Sequence, residues 1–421
     1  MLPIGEIPED IRQAFVGYEK FFARNEQFES FLMYLTGLIV SHKGNIAAIA
    51  DLFWEELEKD QSNLNRFVTQ SEWDAEKVEA ERLRRFKEHP VLRPGKAGVI
   101  GIDDVLIEKS GEQMEGVGVL KDHSTGEYVL AHCLVTSSYY KGNWCYPLYH
   151  APYFKETVCQ QEGGEFQSKV TLAKEIAGKI IQEGIAGVFA FDAWYLCQEL
   201  VGFLEEKERL WVSLMKKNRK VKYRGRWQQG QELARALKAE EYARVEVGGK
   251  VYWWWSGMME ISELEGKKRV VIFWEGEVGR GEPVFLATNA YWWHRERVVA
   301  FYQGRWGEET LHRDGKQHLG LGDYQMRKIE GVKRHWSLVM SAYSLLVLRA
   351  ASRQGGAKDQ PRPTVGTMAR RVMGQVVQQF VNTVIERAHE GEETVARLQQ
   401  QLTRFFQRFE VLSTARKLAV T

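Results

Sequence analysis

A chain of 421 residues, 44% hydrophobic and 27% charged with mean hydropathy −0.39, has enough length to bury several cores and is too apolar for wholesale disorder. Its longest apolar stretch, 31–40, is about half of a bilayer span, its opening MLPIGEIPED is acidic where a secretory leader is basic, and its four cysteines form no C-x-x-C pair, so a zinc framework or secreted disulfide scaffold is a poor expectation and a reducing cytosol the better one. The formal net charge of +2 is a sum of unlike parts: 1–97 carries −4, 98–300 carries −2 and 301–421 carries +8, which suggests a surface facing a polyanion.

Residues 1–97 carry apolar side chains at helical spacing through Ile11, Phe15, Tyr18 and Phe22, then Phe28, Phe31, Leu35 and Leu38. Asn45 is a candidate N-cap for a further helix. A short helix, the Ser-His-Lys-Gly-Asn turn and another helix allow either a DNA-reading helix-turn-helix or an ordinary helical bundle. Pro90 and Pro94 end this texture. GVIGIDDV (98–105), EGVGVL (115–120) and EYVLAHCLV (127–135) then read as successive strands separated by polar turns. A helix over 171–184 follows, and the unbroken apolar run GVFAF (187–191) stops at Asp192. A second helix and the strand RLWVSLM (209–215) complete an α/β order of elements. From 219 the pattern is β-rich and heavy in tryptophan. Helix returns at 294–312 and 330–352, and 364–421 is basic and helical. Gly320-Leu321-Gly322 lacks the third glycine and the strand–helix context of a nucleotide-binding loop.

Two acids close apolar strands, Asp103-Asp104 after GVIGI and Asp192 after GVFAF, which is the carboxyl edge where α/β folds build sites. At about 100° per residue, Tyr302, Arg305, Glu309 and Lys316 fall within roughly 60° on one helical face, while Glu308 points elsewhere. One carboxylate flanked by Arg, Lys and Tyr suits a metal ligand beside phosphate-holding cations. An amphipathic helix with internal salt bridges is the plainer alternative.

Tyr302-x2-Arg305-x3-Glu309-x6-Lys316 resembles the Y-x2-R-x3-E-x6-K signature of DDE transposases from bacterial insertion sequences, the insertion-sequence-four group. IDDV with EKSG is similar to that family's first catalytic strand region, FDAWY to its second, and LWVSLMKKNRK to the strand after it. The resemblance spans roughly 98–350. It implies an α/β, ribonuclease-H-like catalytic core interrupted by a β-rich insertion and flanked by helical N- and C-terminal regions. The expected parts are a helical DNA-binding region at 1–97, core at 98–218, insertion at 219–293, core with the signature at 294–350, and a basic helical region at 351–421.

By the same resemblance, Asp104, Asp192 and Glu309 would hold two Mg²⁺ ions, with Mn²⁺ able to substitute. Arg305 and Lys316 would contact phosphates, and Tyr302 would steady the transposon end. The family's first motif commonly reads Asp-Asp-Thr, and Val105 stands in the threonine's place. Strand alternation sends adjacent acids to opposite faces, so only one can serve; Asp104 is the expected ligand and Asp103 the alternative. Many relatives pass through a hairpin that flips a base, for which Trp253, Trp254, Trp255, Trp274, Trp292 and Trp293 are stacking candidates, or else β-core packing. Lys216, Lys217, Arg219 and Lys220 are candidates for backbone phosphate or a solvated strand end. The implied partners are double-stranded DNA, as inverted-repeat ends and target, and a second copy of the chain in a synaptic dimer, with no membrane and a cytoplasmic, nucleoid-associated location. The rival readings are a nuclease or resolvase without strand transfer, a domesticated relative that only binds DNA, and a helical interaction protein with a chance motif.

Overall fold

The computed structural model describes residues 3–54, 61–247, 250–354 and 362–418. It is mixed α/β, a mixed sheet with helices at both ends of the chain, and it divides into two compact units. One comprises Met1–Val91, Gln113–Glu115 and Arg313–Thr421; the other comprises Leu92–Glu112 and Gly116–His312. Among the described residues no helix is long and apolar enough to cross a membrane.

The helical unit opens with α1 (Glu9–Ala14), α2 (Asn25–Ser41), α3 (Ile46–Ala50), α4 (Gln61–Thr69) and α5 (Ala75–Glu88). α2 is buried along nearly its whole length from Phe28 to Ser41 and ends at His42, whose φ of 55° breaks the helical run. Asn45 caps α3, its Oδ1 accepting the Ala48 N–H at 2.7 Å. α3 is five residues long, so the segment folds as a short turn of bundle after a buried helix.

The second unit is built on one twelve-stranded sheet. β1 (Val99–Glu108) pairs antiparallel with β3 (Tyr128–Lys141), and β3 is flanked on its other edge by β2 (Gly118–Lys121) and β4 (Trp144–Tyr153). Gly142 and Asn143 join β3 to β4 with φ of 55° and 66°, a two-residue turn in the left-handed region that suits a twisted hairpin. β4 lies in the Tyr- and Pro-containing stretch that the strand pattern left unassigned.

Past α6 (Glu156–Glu162) and α7 (Lys169–Gln182), β5 (Val188–Phe191) lies parallel to β1. After α8 (Gln198–Glu206), β6 (Trp211–Leu214) lies parallel to β5. β7 (Lys220–Tyr223), β8 (Arg226–Gln229), α9 (Gly230–Ala236), β9 (Ala243–Val247), β10 (Lys250–Ile261), β11 (Lys267–Glu275) and β12 (Val284–Thr288) make up the tryptophan-rich stretch. These strands do not form a separate body. β12 pairs directly with β6 through Leu286↔Leu214 and Thr288↔Val212, so the sheet runs unbroken from one part to the other.

α10 (Arg295–Gln303) then crosses one face of the sheet. There Val99, Val188, Ala190 and Val212 share a core with Trp254, Val271, Leu286, Trp293, Val298 and Phe301. Trp255 and Trp274 are buried as well, and Trp293 stacks on Phe301 at 4.5 Å between ring centroids. Four of the six tryptophans at 253–293 are therefore packing residues, and Trp292 alone is widely exposed.

α11 (Trp306–His318) leads back to the helical unit, which α12 (Ile329–Gln354), α13 (Val365–Ala388) and α14 (Glu392–Leu418) complete. α12 is the axis of that bundle and packs on α2, α4, α5 and α13. His335 in α12 links Tyr34 Oη (2.9 Å) to the Gly320 carbonyl (3.1 Å), a buried hydrogen-bonded join between distant parts of the chain.

Candidate active site

The site starts from strand register. Ile102 in β1 is level with Phe191 in β5, so Asp103 and Asp192, one residue further along each, lie side by side where β5 ends and β1 runs on to Glu108. Asp192 is turned by the chain that follows it: Oδ1 accepts the N–H of Trp194 at 2.8 Å and of Tyr195 at 3.4 Å. Alternation along β1 puts Asp103 on the face of Val99 and Gly101, and Asp104 on the other.

Glycines bring the α10–α11 pair close onto that first face. A Cβ on Gly304 would stand 2.4 Å from Val99 Cγ2, and one on Gly101 would stand 2.8 Å from Glu308 Cγ. Only hydrogen in these two places permits so close an approach. The result is that Arg305 reaches Asp103 Oδ2 through Nη1 at 2.8 Å and Glu309 Oε1 through Nη2 at 2.9 Å, tying the β1 acid to the helical one. Its guanidinium lies 5.7 Å from the Tyr302 ring centroid.

Glu308 does not point away from this assembly. Its side chain is fully buried over Gly101, where Thr136 Oγ1 donates to Oε2 at 2.8 Å, and His312 Nε2 lies 2.7 Å from the same hydroxyl. Glu309 is the half-exposed one. The sheet lies beneath this helix, so the side chain that leaves the shared face drops into the core instead of into water.

Burial and crowding of negative charge shape the electrostatics. Burial pushes the Asp103 carboxyl up to about 7, against the pull of Arg305, with Asp192 and Asp104 adding to the rise. Asp192 is raised by burial too, opposed by the amides of Trp194 and Tyr195. Burial drives Glu308 up to about 8, so it is an uncharged acid at neutral pH. Tyr302 is raised by burial against the nearby Arg305.

Asp104 stands in a different setting. It accepts from Lys169 Nζ at 2.6 Å and Tyr195 Oη at 2.9 Å, with Cys133 Sγ at 3.5 Å. Of the six residues singled out by sequence, Asp192, Tyr302, Arg305 and Glu309 come together with Asp103. Asp104 faces α7 and the post-β5 loop from the other side of β1. Lys316 is carried by the last turn of α11, in the part of the chain that belongs to the helical unit. Asp103, Glu308, Thr136 and Lys169 are the site residues that sequence reasoning set aside or did not name.

Asp103, Asp192 and Glu309 are hard oxygen donors of the kind Mg²⁺ takes, and burial raises both Asp103 and Asp192, disfavouring their charged forms until a cation is near. The donor chemistry thus fits a divalent cation. Among the described residues no three His, Cys, Asp or Glu side chains are gathered closely enough to hold one ion, and Glu309 is held by Arg305.

Two family models match the chain. That of the DDE superfamily endonucleases covers residues 18–233, about half of the length, and that of the transposase DDE domain covers residues 168–345. The first spans Asp103, Asp104 and Asp192, the second Asp192 and Glu309. No curated protein matches the chain.

Proposed function

The chain belongs to the DDE superfamily endonucleases, a nuclease-type enzyme family, and from that premise we propose that it is a DNA transposase that cleaves transposon ends and joins them to target DNA. The observation that carries this reading is the convergence of Asp103, within β1, and Asp192, at the end of the parallel β5, with the Arg305–Glu309 pair in its family spacing. A central β1 that is antiparallel to β3 and parallel to β5, with β6 parallel beyond, supports a ribonuclease-H-like core.

We assign the first carboxylate of the set to Asp103 in preference to Asp104, because Asp103 shares the face of Arg305 while Asp104 is engaged by Lys169 and Tyr195. Asp103, Asp192 and Glu309 would then hold the cation. Mg²⁺, or Mn²⁺ in its place, would supply the positive charge that polarises a phosphodiester and its attacking water or 3′-hydroxyl.

The protein's own groups do the rest. Arg305 keeps Asp103 and Glu309 from repelling each other before substrate arrives, and its two-pronged guanidinium can exchange these carboxylates for phosphate oxygens. Asp103 must give up its proton to become a ligand; burial holds its carboxyl up to about 7 while Arg305 pulls it down, so that loss falls near neutral pH. Glu308, neutral and bonded to Thr136, buttresses α11 without adding charge. Tyr302 and Lys316 are assigned to the DNA end and its phosphates.

Duplex bearing the inverted repeats that flank the gene, incubated with Mg²⁺ and a plasmid target, tests the proposal. Nicking at the repeat, joining of the labelled 3′-hydroxyl to plasmid and a two-copy protein–DNA complex are expected. Nicking without joining would establish the second reading, an endonuclease without strand transfer, which the description of the longer matching family favours. Neither product from the intact chain, with binding alone, would leave a domesticated DNA-binding relative.

A further inference from the structure

Within the helical unit, to which none of Asp103, Asp192 and Glu309 belongs, lies a cavity of about 360 Å³. One stripe of α12 lines it, where Ser341, Ser344, Leu345, Leu348, Arg349 and Ser352 recur three and four residues apart. α5 contributes Arg82, Arg85 and His89, and Phe15 and Tyr18 add aromatic surface just after α1. With Arg353 the lining holds four arginines, and among the described lining residues there is no carboxylate. The acids that pair with these arginines stand outside the lining. Arg82 pairs with Glu79 at 3.3 Å and donates to Ser344 Oγ at 3.2 Å, Arg85 pairs with Glu81 at 2.9 Å, and Arg349 pairs with Asp10. Glu81 is shared with Arg84, and Arg353 has no acid partner among the described residues, so positive charge is left in surplus. Arg349 Nη1 is buried with no hydrogen-bond partner, and the charge of Arg353 adds to burial in disfavouring the Arg349 cation.

We propose that this cavity is a binding site for a small phosphate monoester, its phosphate on Arg82, Arg349 and Arg353 and its organic part against Phe15, Leu345 and Leu348. A guanidinium donor shut away from water without an acceptor calls for an oxygen that the chain itself does not supply. Planar guanidinium forks match the oxygens of phosphate, and serine hydroxyls in the same wall add donors. A phosphate monoester brings about −1.5 to −2 of charge and three acceptor oxygens to that surplus, where a carboxylate brings one charge and two oxygens. The aromatic and leucine side chains favour an organic ester over the bare ion. The volume falls within the roughly 300–1,000 Å³ of small-ligand sites. Duplex DNA is the poorer fit, because it offers singly charged diesters along a wide rod and Arg82 is only 3% exposed. A bound ester would tie α5 to α12 through their arginines, so its effect would fall on the helical unit and not on the carboxylates.

The test needs no cleavage and is done by titration calorimetry on the full chain in EDTA at about 0.15 M salt. Phenyl phosphate is the probe, with inorganic phosphate and benzoate as controls. Phenyl phosphate is expected to bind one molecule per chain, about tenfold or more tighter than either control, since the first lacks the ring and the second the doubly charged head. Arg349→Gln should weaken phenyl phosphate about 10- to 100-fold. Arg353→Gln, at an exposed position, should weaken it about 3- to 10-fold. Leu348→Glu, which sets a carboxylate in the wall, should abolish binding. Should Arg349→Gln fail to fold, Arg353→Gln and Leu348→Glu carry the comparison.

A parent chain that does not bind phenyl phosphate, or binds it no better than its variants do, overturns the site. Benzoate bound as tightly as phenyl phosphate overturns the phosphate assignment. A blunt duplex that displaces phenyl phosphate from the parent, and itself binds more weakly to Leu348→Glu, overturns the small-ligand reading and gives the cavity to the DNA backbone.

Discussion

Replacing Glu308 with glutamine should make the protein more stable, and the gain should grow with pH. The unfolded carboxyl ionises near 4.5, whereas the folded one keeps its proton up to about 8. Between those values the folded state binds more protons than the unfolded state, so the parent's stability falls as pH rises through the window. At about 1.36 kcal/mol per pH unit, the loss reaches about 3 kcal/mol by pH 7. The glutamine amide of the variant is neutral throughout and still accepts from Thr136, so it escapes that loss. Urea unfolding of parent and variant in parallel reads the difference: close to zero near pH 4.5, about 3 kcal/mol near pH 7, and level above pH 8. Glu308→Ala, which leaves a hole over Gly101, should instead destabilise at every pH. A Glu308→Gln variant no more stable than the parent at pH 7, or a difference that does not change with pH, would refute the idea of a neutral acid under α11. Divalent-dependent cleavage should survive Glu308→Gln and vanish in Glu309→Gln.

Asp103→Asn and Asp192→Asn should each lower divalent-dependent nicking by on the order of a thousandfold or more with the thermal midpoint retained. Asp104→Asn should act mainly by weakening the Lys169 and Tyr195 contacts, read as a lowered midpoint with most nicking retained; the opposite order would return the first ligand to Asp104. Gly304→Ala forces a methyl to within 2.4 Å of Val99 Cγ2, and this overpacking should cost about 1–3 kcal/mol in urea unfolding and reduce cleavage by lifting Arg305 and Glu309 from Asp103. Trp293→Ala, stripping a ring that is buried and stacked on Phe301, should cost about 3–5 kcal/mol of stability, and the affinity of the folded fraction for DNA should be unchanged.

The strands were legible where the pattern is local. GVIGI and GVFAF are uniformly apolar because β1 and β5 are covered on both faces, and Asp192 does follow the last residue of β5. The β3–β4 hairpin has a local mark in the Gly142-Asn143 pair, set among tyrosines and prolines that blur the strand pattern. What the chain could not disclose is long-range. Whether Asp103 or Asp104 looks toward the signature helix depends on which face of the sheet α10 and α11 occupy, and that is decided by Gly101, Gly304 and Val99 meeting across about 200 residues of sequence. Glu308 reads as a misplaced charge on a helical wheel and becomes sensible only with Thr136 beneath it. The tryptophan-rich stretch reads as an insertion because its texture changes, while its hydrogen bonds to β6 carry no textural mark.

That last join has a consequence for how the protein can be taken apart. Cutting out 219–293 to obtain a minimal nuclease would strip β6 of its neighbour β12 and leave it as a bare, apolar sheet margin, the kind of surface on which chains pair with one another and precipitate. It would also remove Trp254, Val271 and Leu286, on which the residues under α10 close. The tryptophan-rich strands are thus not cargo on a self-sufficient nuclease. They are the far wall of the same room, and a shortened form that stays in solution will need β12, or a substitute for it, left standing.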